Sequence, residues 1–177
     1  MSSQATQADE ARFTIFRGAD AQPLVIEETT GVSDIVQEGI KKLDAMGGIE
    51  NGSETRVVFE VPGFSLTYLW FKSGYHLPRH SHGMDCAYYV IAGSLQMGND
   101  VLGKGDGFFV PANVPYTYVA GPKGVEVMEF RHCHCKDIRI MADNPAFWDK
   151  LAAMAPANRA RWESERRPSP MFAEAGN

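Results

Sequence analysis

The chain has 177 residues, 44% of them hydrophobic, and its 17 Lys and Arg residues against 22 Asp and Glu residues give a formal net charge of −5. A chain of this length folds as one domain that buries a sizeable core, so it needs neither disulfides nor a structural metal. The acidic balance excludes a basic surface for nucleic acid, and the glycine, proline and aromatic content favours short strands over a helix bundle.

The N-terminal segment is polar and has neither a basic start nor an apolar stretch, which predicts no signal peptide. No apolar stretch of the sequence approaches the roughly 18 residues that span a bilayer. The cysteines, Cys86, Cys133 and Cys135, are odd in number, as expected of thiols in a reducing compartment. We therefore expect a cytoplasmic protein with no membrane partner and no nucleic-acid partner.

The first part of the chain, residues 1–55, is expected to be an arm with one short helix. This helix begins after Ser33, a good N-cap residue, and stops before Gly47. From residue 56 to residue 140 the apolar residues alternate with polar ones, and turn residues interrupt them at even spacing. This pattern predicts the antiparallel strands of a sandwich or barrel core.

The last part, residues 141–177, returns to helical periodicity. Asn144 followed by a proline predicts the start of a helix, and Pro156 predicts its end. A second, short helix is expected around residues 159–166. The sequence therefore predicts a C-terminal helical extension of two helices.

The histidines all fall in the strand-rich region: His76, His80, His82, His132 and His134. On a strand, residues two apart project from the same face, so the imidazoles of His80 and His82 lie within reach of one cation. A pair of this kind taken alone is also compatible with ordinary hydrogen bonding.

The spacing around this pair is more specific than the pair itself. Five residues separate Gly74 from His80, and one residue separates His80 from His82. Three residues then lead to Cys86, and six more lead to Gly93.

A second stretch follows with its own fixed spacing. Five residues separate Gly105 from Pro111, one separates Pro111 from Asn113, and two separate Asn113 from Tyr116. Together the two stretches resemble the two-part sequence signature of the cupin family, and the resemblance covers about residues 56–132. It implies an all-β fold, a double-stranded β-helix or jelly-roll barrel, with short flanking helices at the N-terminal side and the C-terminus.

The resemblance also implies that His80 and His82 bind a divalent metal, iron first, with zinc, manganese or nickel as alternatives. Two usual ligands of the family are replaced in this chain. Cys86 stands at the position of the usual glutamate, and Tyr116 stands at the position of the usual third histidine. We interpret both as candidate catalytic residues.

Two imidazoles hold a metal weakly, so a further ligand is required. Our preferred candidate is His132, because Met128, Phe130 and His132 share the more apolar face of their strand and so are expected to point inward. The opposite face would instead present Glu129 as a carboxylate ligand. Asp85 is a further alternative.

Cys86 has three interpretations. Its thiolate would be a soft ligand for zinc or iron, and its thiol could simply pack in the core, which is the preferred interpretation. Similarity to the cysteine dioxygenases, which are cupins with a cysteine at this position, implies a third: a thioether to Tyr116, Tyr88 or Tyr118.

The sequence His132-Cys133-His134-Cys135 suggests a metal cluster at first sight. Alternation along a strand sends the histidines and the cysteines to opposite faces, so a single tetrahedral site is disfavoured. We expect a strand end that continues into a loop.

Three functions remain open at this point. The preferred one is a metal-dependent enzyme, an iron(II) dioxygenase, and a metal-dependent isomerase or lyase in which Tyr116 or Glu129 moves the proton is a variant of it. The second is a non-catalytic module that senses a small molecule or a metal, and the third is a cupin without metal. Fold alone does not choose among them.

The expected partners are a small-molecule substrate and a second copy of the chain. Aromatic residues cluster along the motif strands, which indicates an apolar cavity with hydroxyl groups, suited to a partly apolar or aromatic substrate. Pairing of similar single-domain cupins implies a homodimer.

Overall fold

The computed structural model describes residues 13–24, 32–132 and 138–170. These residues form nine β-strands and three α-helices in the following order along the chain: β1 (Gln22–Pro23), α1 (Asp34–Ala45), α2 (Gly48–Gly52), β2 (Ser53–Val61), β3 (Phe64–Phe71), β4 (His80–Ser81), β5 (Cys86–Met97), β6 (Asp100–Gly103), β7 (Gly107–Val110), β8 (Val119–Arg131), β9 (Arg139–Ile140) and α3 (Pro145–Ser164).

The main sheet is antiparallel and has seven strands. Its order is β1-β2-β3-β8-β5-β6, and β7 pairs with the other half of β5, while β4 and β9 form a separate two-stranded sheet. The described strands do not close into a barrel, but their pairing is consistent with a jelly roll. The predicted β fold with flanking helices is therefore confirmed.

The register of the sheet places polar residues in adjacent rows at one end of its inner face. Directly paired residues project from the same face, so β3, β8, β5 and β7 contribute side chains to common rows. The first two rows contain most of the polar side chains and the third is apolar. The first row is Ser65, Arg131, Cys86 and Val110, the second is Thr67, Glu129, Tyr88 and Phe108, and the third is Leu69, Val127 and Val90. The inner face is thus polar where the candidate site lies and apolar beyond it.

The inward face of β8 is opposite to the predicted one. Val127, Glu129 and Arg131 are buried, whereas Phe130 is 37% exposed and His132 is exposed. The expectation that Phe130 and His132 point inward is wrong. The prediction took the more apolar face of β8 as the buried one. The other face is buried instead, because Glu129 and Arg131 form an ion pair and can be buried together.

Helix α1 follows its predicted capping. The Ser33 Oγ accepts a hydrogen bond from the Val36 amide at 3.3 Å, and Gly47 adopts a left-handed φ of 70° after the helix ends. This conformation is available to glycine at little cost. The chain then forms α2, which the sequence did not predict.

The C-terminal extension is one helix of 20 residues that contains Pro156, so the prediction of two helices is wrong. Asn144 caps it as predicted, accepting from the Ala146 amide at 3.0 Å. Buried residues on both sides of Pro156, Leu151 and Trp162 among them, pack against the rest of the protein. Their packing holds the helix together across the hydrogen bond that proline removes.

The helices share the core with the sheet. Ala155 and Trp162 of α3 belong to the same buried cluster as Val125 and Val127 of β8, while Trp148 and other α3 residues pack on α1. None of the helices in the described residues is both long and apolar enough to cross a membrane.

Candidate functional site

A buried cluster of polar side chains lies at the polar end of the inner face. Backbone hydrogen bonds connect His80 with Tyr116 in both directions, at 3.1 and 2.9 Å, and the Asn113 amide donates to the His82 carbonyl at 2.7 Å. The two sequence stretches that define the predicted motif are therefore held side by side. This pairing brings both histidines next to Tyr116.

Both imidazoles of the histidine pair point at one hydroxyl group. The Nε2 atoms of His80 and His82 lie 2.7 and 3.2 Å from the Tyr116 hydroxyl, and the Tyr88 hydroxyl lies 2.5 Å from it on another side. Tyr116 thus occupies the centre of the cluster.

The hydrogen bonds of His80 fix its tautomer. Its Nδ1 lies 2.8 Å from the Pro78 carbonyl oxygen, which only accepts, so Nδ1 carries the proton. Burial, followed by the neighbouring His82, lowers the pKa of His80 to about 4. The neutral ring therefore presents an Nε2 lone pair to the cluster, which is the form that binds a metal.

Glu129 is paired with Arg131 two residues along the same face of β8. The Arg131 Nε and Nη2 lie 2.8 and 2.7 Å from Glu129 Oε1, and the Tyr88 hydroxyl donates to the same oxygen. His82 Nε2 lies 3.6 Å from this oxygen and 3.5 Å from Arg131 Nη2. The carboxylate is thus charge-balanced and adjacent to the histidine pair.

The two tyrosine hydroxyls have fewer protons than their contacts require. Burial and then the Glu129 charge raise the pKa values of Tyr88 and Tyr116 above the ordinary value, so each keeps its proton. Tyr88 uses its proton in the hydrogen bond that it donates to Glu129, and Tyr116 uses its proton in the hydrogen bond that it donates to the His80 lone pair. No proton then remains for a hydrogen bond between the two hydroxyls, although they are in short contact. If a cation occupied the His80 Nε2 lone pair, the Tyr116 hydroxyl could donate its proton to Tyr88 instead.

Cys86 lies beside this cluster as a buried thiol. The thiol donates to the Met84 carbonyl oxygen at 3.4 Å. Its sulfur and the ligand atoms of His82 and Glu129 all lie within 4.8 Å of one another. The described geometry thus places Cys86 next to the candidate ligands.

The structure does not bring every predicted ligand to this place. His132 follows β8 on the outer face, where its ring lies 6.3 Å from that of Phe64. Asp85 is exposed and accepts a hydrogen bond from the Ala112 amide at 2.8 Å. Cys133, His134 and Cys135, where we expected a strand end that continues into a loop, lie outside the described residues.

Sequence reasoning missed the contribution of Arg131 and gave Tyr88 only a lining or thioether role. The signal was present in β8, where the alternative face joined Glu129 and Arg131 to two valines. Two residues of opposite charge on one face of a strand are close enough to pair, which makes their burial affordable.

Other polar groups near the cluster have no partner within the described ranges. The hydroxyls of Ser65, Thr67 and Tyr118 are buried and accept or donate no hydrogen bond there. Ser65 and Thr67 lie directly across from Arg131 and Glu129 in the register of the sheet. Since an unsatisfied buried hydroxyl costs roughly 1–3 kcal/mol, this end of the protein is suited to hold water or a polar ligand.

A cavity of about 660 Å³ opens from the cluster towards the helices. It is lined by polar residues at the site and by aliphatic and aromatic residues elsewhere: Leu24, Ile40, Leu43, Ile49, Ser53, Thr55, Leu69, Phe71, Tyr75, Leu77, Pro78, His80, His82, Tyr116, Tyr118, Glu129, Arg131, Ile138, Ile140 and Trp148. Its size is that of a site for a small organic molecule.

The donor set of the cluster fits a divalent metal. His82, Glu129 and Cys86 hold their ligand atoms within 4.8 Å of one another, and His80 Nε2 reaches the same cluster at the Tyr116 hydroxyl. Two imidazoles and one carboxylate are the combination that non-haem iron(II) sites use. Cys86 adds a soft donor that zinc would favour. The pairing of Glu129 with Arg131 lowers the negative charge that the site offers to a cation.

No family model matches the sequence, and no curated protein matches it. Among solved structures, an RmlC-like cupin from Shewanella frigidimarina is 22% identical, with a TM-score of 0.44 over 49% of this chain and 80% of that chain. The polyketide cyclase RemF from Streptomyces resistomycificus is 19% identical, with a TM-score of 0.47 over 59% of this chain and 83% of that chain. A protein of unknown function with a cupin-like fold from Ralstonia eutropha is 17% identical, with a TM-score of 0.45 over 67% of this chain and 81% of that chain.

These similarities are distant. The assignment of the fold rests on the strand pairing described above. Matches at this level of identity carry no information about activity.

Proposed function

We propose that the protein is a metal-dependent enzyme that binds a divalent cation through His80 and His82, with Glu129 as the third ligand. The observation that supports this most is the convergence of both Nε2 atoms on one point, at 2.7 and 3.2 Å from the Tyr116 hydroxyl, beside a buried carboxylate. Two histidines and one carboxylate favour iron, so an iron(II) dioxygenase-like reaction is the specific form of the proposal.

The bound metal would supply open coordination positions and Lewis acidity. The residues of the chain have separate tasks. The Pro78 carbonyl orients His80, and the hydrogen bonds from Arg131 hold the Glu129 carboxylate in place. Tyr116 holds a proton at its hydroxyl next to the metal ligands, where it can donate to an oxygen atom of a substrate.

The substrate in this proposal is a small organic molecule with a large apolar part. The support is the cavity of about 660 Å³, whose lining beyond the polar cluster is aliphatic and aromatic. Ligand pockets of proteins combine such a lining with a few polar groups that fix orientation.

Metal analysis of the purified chain tests the proposal. We expect near-stoichiometric metal in the wild type and its loss in His80→Ala and in His82→Ala, because each variant removes one imidazole ligand. Iron is expected to predominate when the cells are grown with iron.

His132→Ala is the matched control, because it removes an imidazole from the outer face of the same part of the chain. It is expected to retain the metal of the wild type. Equal metal content in all four proteins, or the absence of metal under every loading condition, would refute the proposed site.

A non-catalytic binding module is the second candidate. It is favoured by the extent to which the cluster satisfies itself: Tyr116 contacts both histidines, and Glu129 is already paired with Arg131 and Tyr88. Oxygen consumption by the iron-loaded protein with a panel of aromatic compounds separates the two, since only the enzyme turns over.

A homodimer and a cytoplasmic location are also part of the proposal. Light scattering is expected to give about twice the mass of 19.5 kDa of one chain. Cell fractionation tests the location, and recovery of the protein outside the cytoplasmic fraction would contradict it.

A further inference from the structure

The cavity has two ends that come from different parts of the chain. The polar end is built by the strands and by the segments that carry His80 and Tyr116. The other end is built by helices, with Ile40 and Leu43 from α1 and Ile49 from α2. The helices that lie outside the motif strands therefore form a wall of the cavity.

This helical wall is apolar throughout. Trp148 of α3 completes it and packs with Leu43 in the second buried cluster of the protein, to which Ile40 and Ile140 also belong. A ligand group placed against this wall gives up its water without gaining a hydrogen bond, so only an apolar group is stabilised there.

The polar end carries balanced charge. Among the cavity-lining residues in the described part of the chain, Glu129 provides the only carboxylate and Arg131 the only guanidinium, and no lysine is present. The two groups lie 2.7 and 2.8 Å apart at their nitrogen and oxygen atoms. A charged ligand would have to compete with this pair or bring its charge into the cavity without a counter-charge, and both are unfavourable.

From these two features we infer that the cavity selects an uncharged molecule with a bulky apolar body, which lies against Ile40, Ile49 and Trp148, and one polar group, which faces Tyr116. The inference rests on the proposed function in that it names the ligand class of the same site, and its charge argument applies to the side chains of the cavity before a cation is bound. It assigns part of the choice of ligand to α1, α2 and α3, which lie outside the motif strands.

Three probes that share a naphthyl body and carry a neutral, an anionic or a cationic polar group test this inference. They are 2-naphthalenemethanol, 2-naphthoate and 2-naphthylmethylammonium, and their affinities for the whole chain are measured by calorimetry in EDTA, so that no metal adds its charge. The alcohol is expected to bind at least about tenfold more tightly than either ion, because only the ions bring an unmatched charge into the cavity.

Substitutions in the helical wall test which residues choose the ligand. Ile49→Trp fills part of the cavity from a side chain that is still 39% exposed, and it is expected to weaken binding of the alcohol at least about tenfold. Ile40→Trp serves as the second variant. Met46→Trp is the matched control, because Met46 lies beyond the end of α1, is 38% exposed and does not line the cavity.

The outcomes separate this inference from the proposed function. Tighter binding of the anion, no binding of any probe, or full affinity of the alcohol in both wall variants would overturn the inference. Metal content is measured in the same variants and is expected to equal that of the wild type. Loss of metal from His80→Ala with unchanged selectivity for the alcohol supports both, whereas selectivity without any metal binding refutes only the proposed function.

Discussion

Two buried carboxylates on β8 differ in what surrounds them: one borders the candidate site and the other makes a structural contact. Glu129 faces the cavity and is paired with Arg131, whereas Glu126, three residues earlier, faces the other side of the sheet. Glu126 accepts hydrogen bonds from the Tyr68 hydroxyl at 2.5 Å and from the Ser169 amide at 2.6 Å. The first carboxylate has a cationic partner and the second has neutral donors.

The difference separates a site from a structural contact. The C-terminal segment covers Glu126, since Ser169 also donates from its hydroxyl at 3.0 Å and the neighbouring Arg167 pairs with Glu54. Glu129 instead borders a cavity and two histidines. Burial alone therefore does not identify a functional carboxylate, and the surroundings of each group decide.

Removal of Glu129 is expected to have the largest effect. Glu129→Ala removes the carboxylate that pairs with the buried Arg131, which should lower the free energy of unfolding by about 3–5 kcal/mol. Urea denaturation in EDTA measures this effect separately from metal binding. The double variant Glu129→Leu/Arg131→Met is the control and should recover most of the loss, and a double variant as unstable as the single one would contradict the ion-pair explanation.

Removal of Glu126 is expected to have a smaller effect. Glu126→Ala removes the carboxylate that accepts from the Tyr68 hydroxyl and the Ser169 amide, which should cost about 1–3 kcal/mol of stability. Metal content should stay at the wild-type level, because Glu126 lies on the opposite face. Loss of metal in this variant would show that the two faces are not independent.

Replacement of Cys86 tests whether this residue is a metal ligand. If Cys86 only packs, Cys86→Ala should cost roughly 1 kcal/mol and leave the metal bound. Metal loss equal to that of His80→Ala would instead make Cys86 a ligand. The intact mass of the wild type should equal the sequence mass, and a mass lower by two hydrogen atoms would reveal a thioether.

The pH dependence of the stability contributed by the pair of Glu54 and Arg167 is expected to be the smallest effect. Burial raises the pKa of Glu54, but the hydrogen bonds and charges of Arg167 and Arg56 outweigh it and hold this pKa below its ordinary value of 4.5. The ionised pair thus stabilises the protein above pH 4.5, and this stabilisation, on the order of 1 kcal/mol, is lost as the pH falls through the lowered pKa. The stability difference between wild type and Glu54→Gln should therefore shrink in acid, and a constant difference would contradict the pairing.

The sequence predicted the features that depend on neighbours along the chain. Alternation on a strand put His80 and His82 on one side, Ser33 and Asn144 capped their helices as expected, and Gly47 followed the end of α1. Each of these depends on backbone geometry and on hydrogen bonds over a few residues, which a local pattern specifies.

The features that the sequence missed depend on contacts between distant residues. Periodicity separates the two faces of β8 but does not say which one is buried, because pairing with β3 and β5 and the ion pair of Glu129 with Arg131 decide that. Likewise, α3 continues through Pro156 because Leu151 and Trp162 are anchored in the core.

By itself, then, the sequence determined an antiparallel β fold with flanking helices and a pair of histidines on one face. It also placed Cys86 and Tyr116 at the positions where the resemblance led us to expect ligands. Only the tertiary structure decided that Glu129 rather than His132 lies beside the histidine pair, that Arg131 balances its charge, and that the terminal helices close the cavity. The physical reason is that burial of charge and shape of a cavity are properties of packing, and packing is set by residues far apart in the chain.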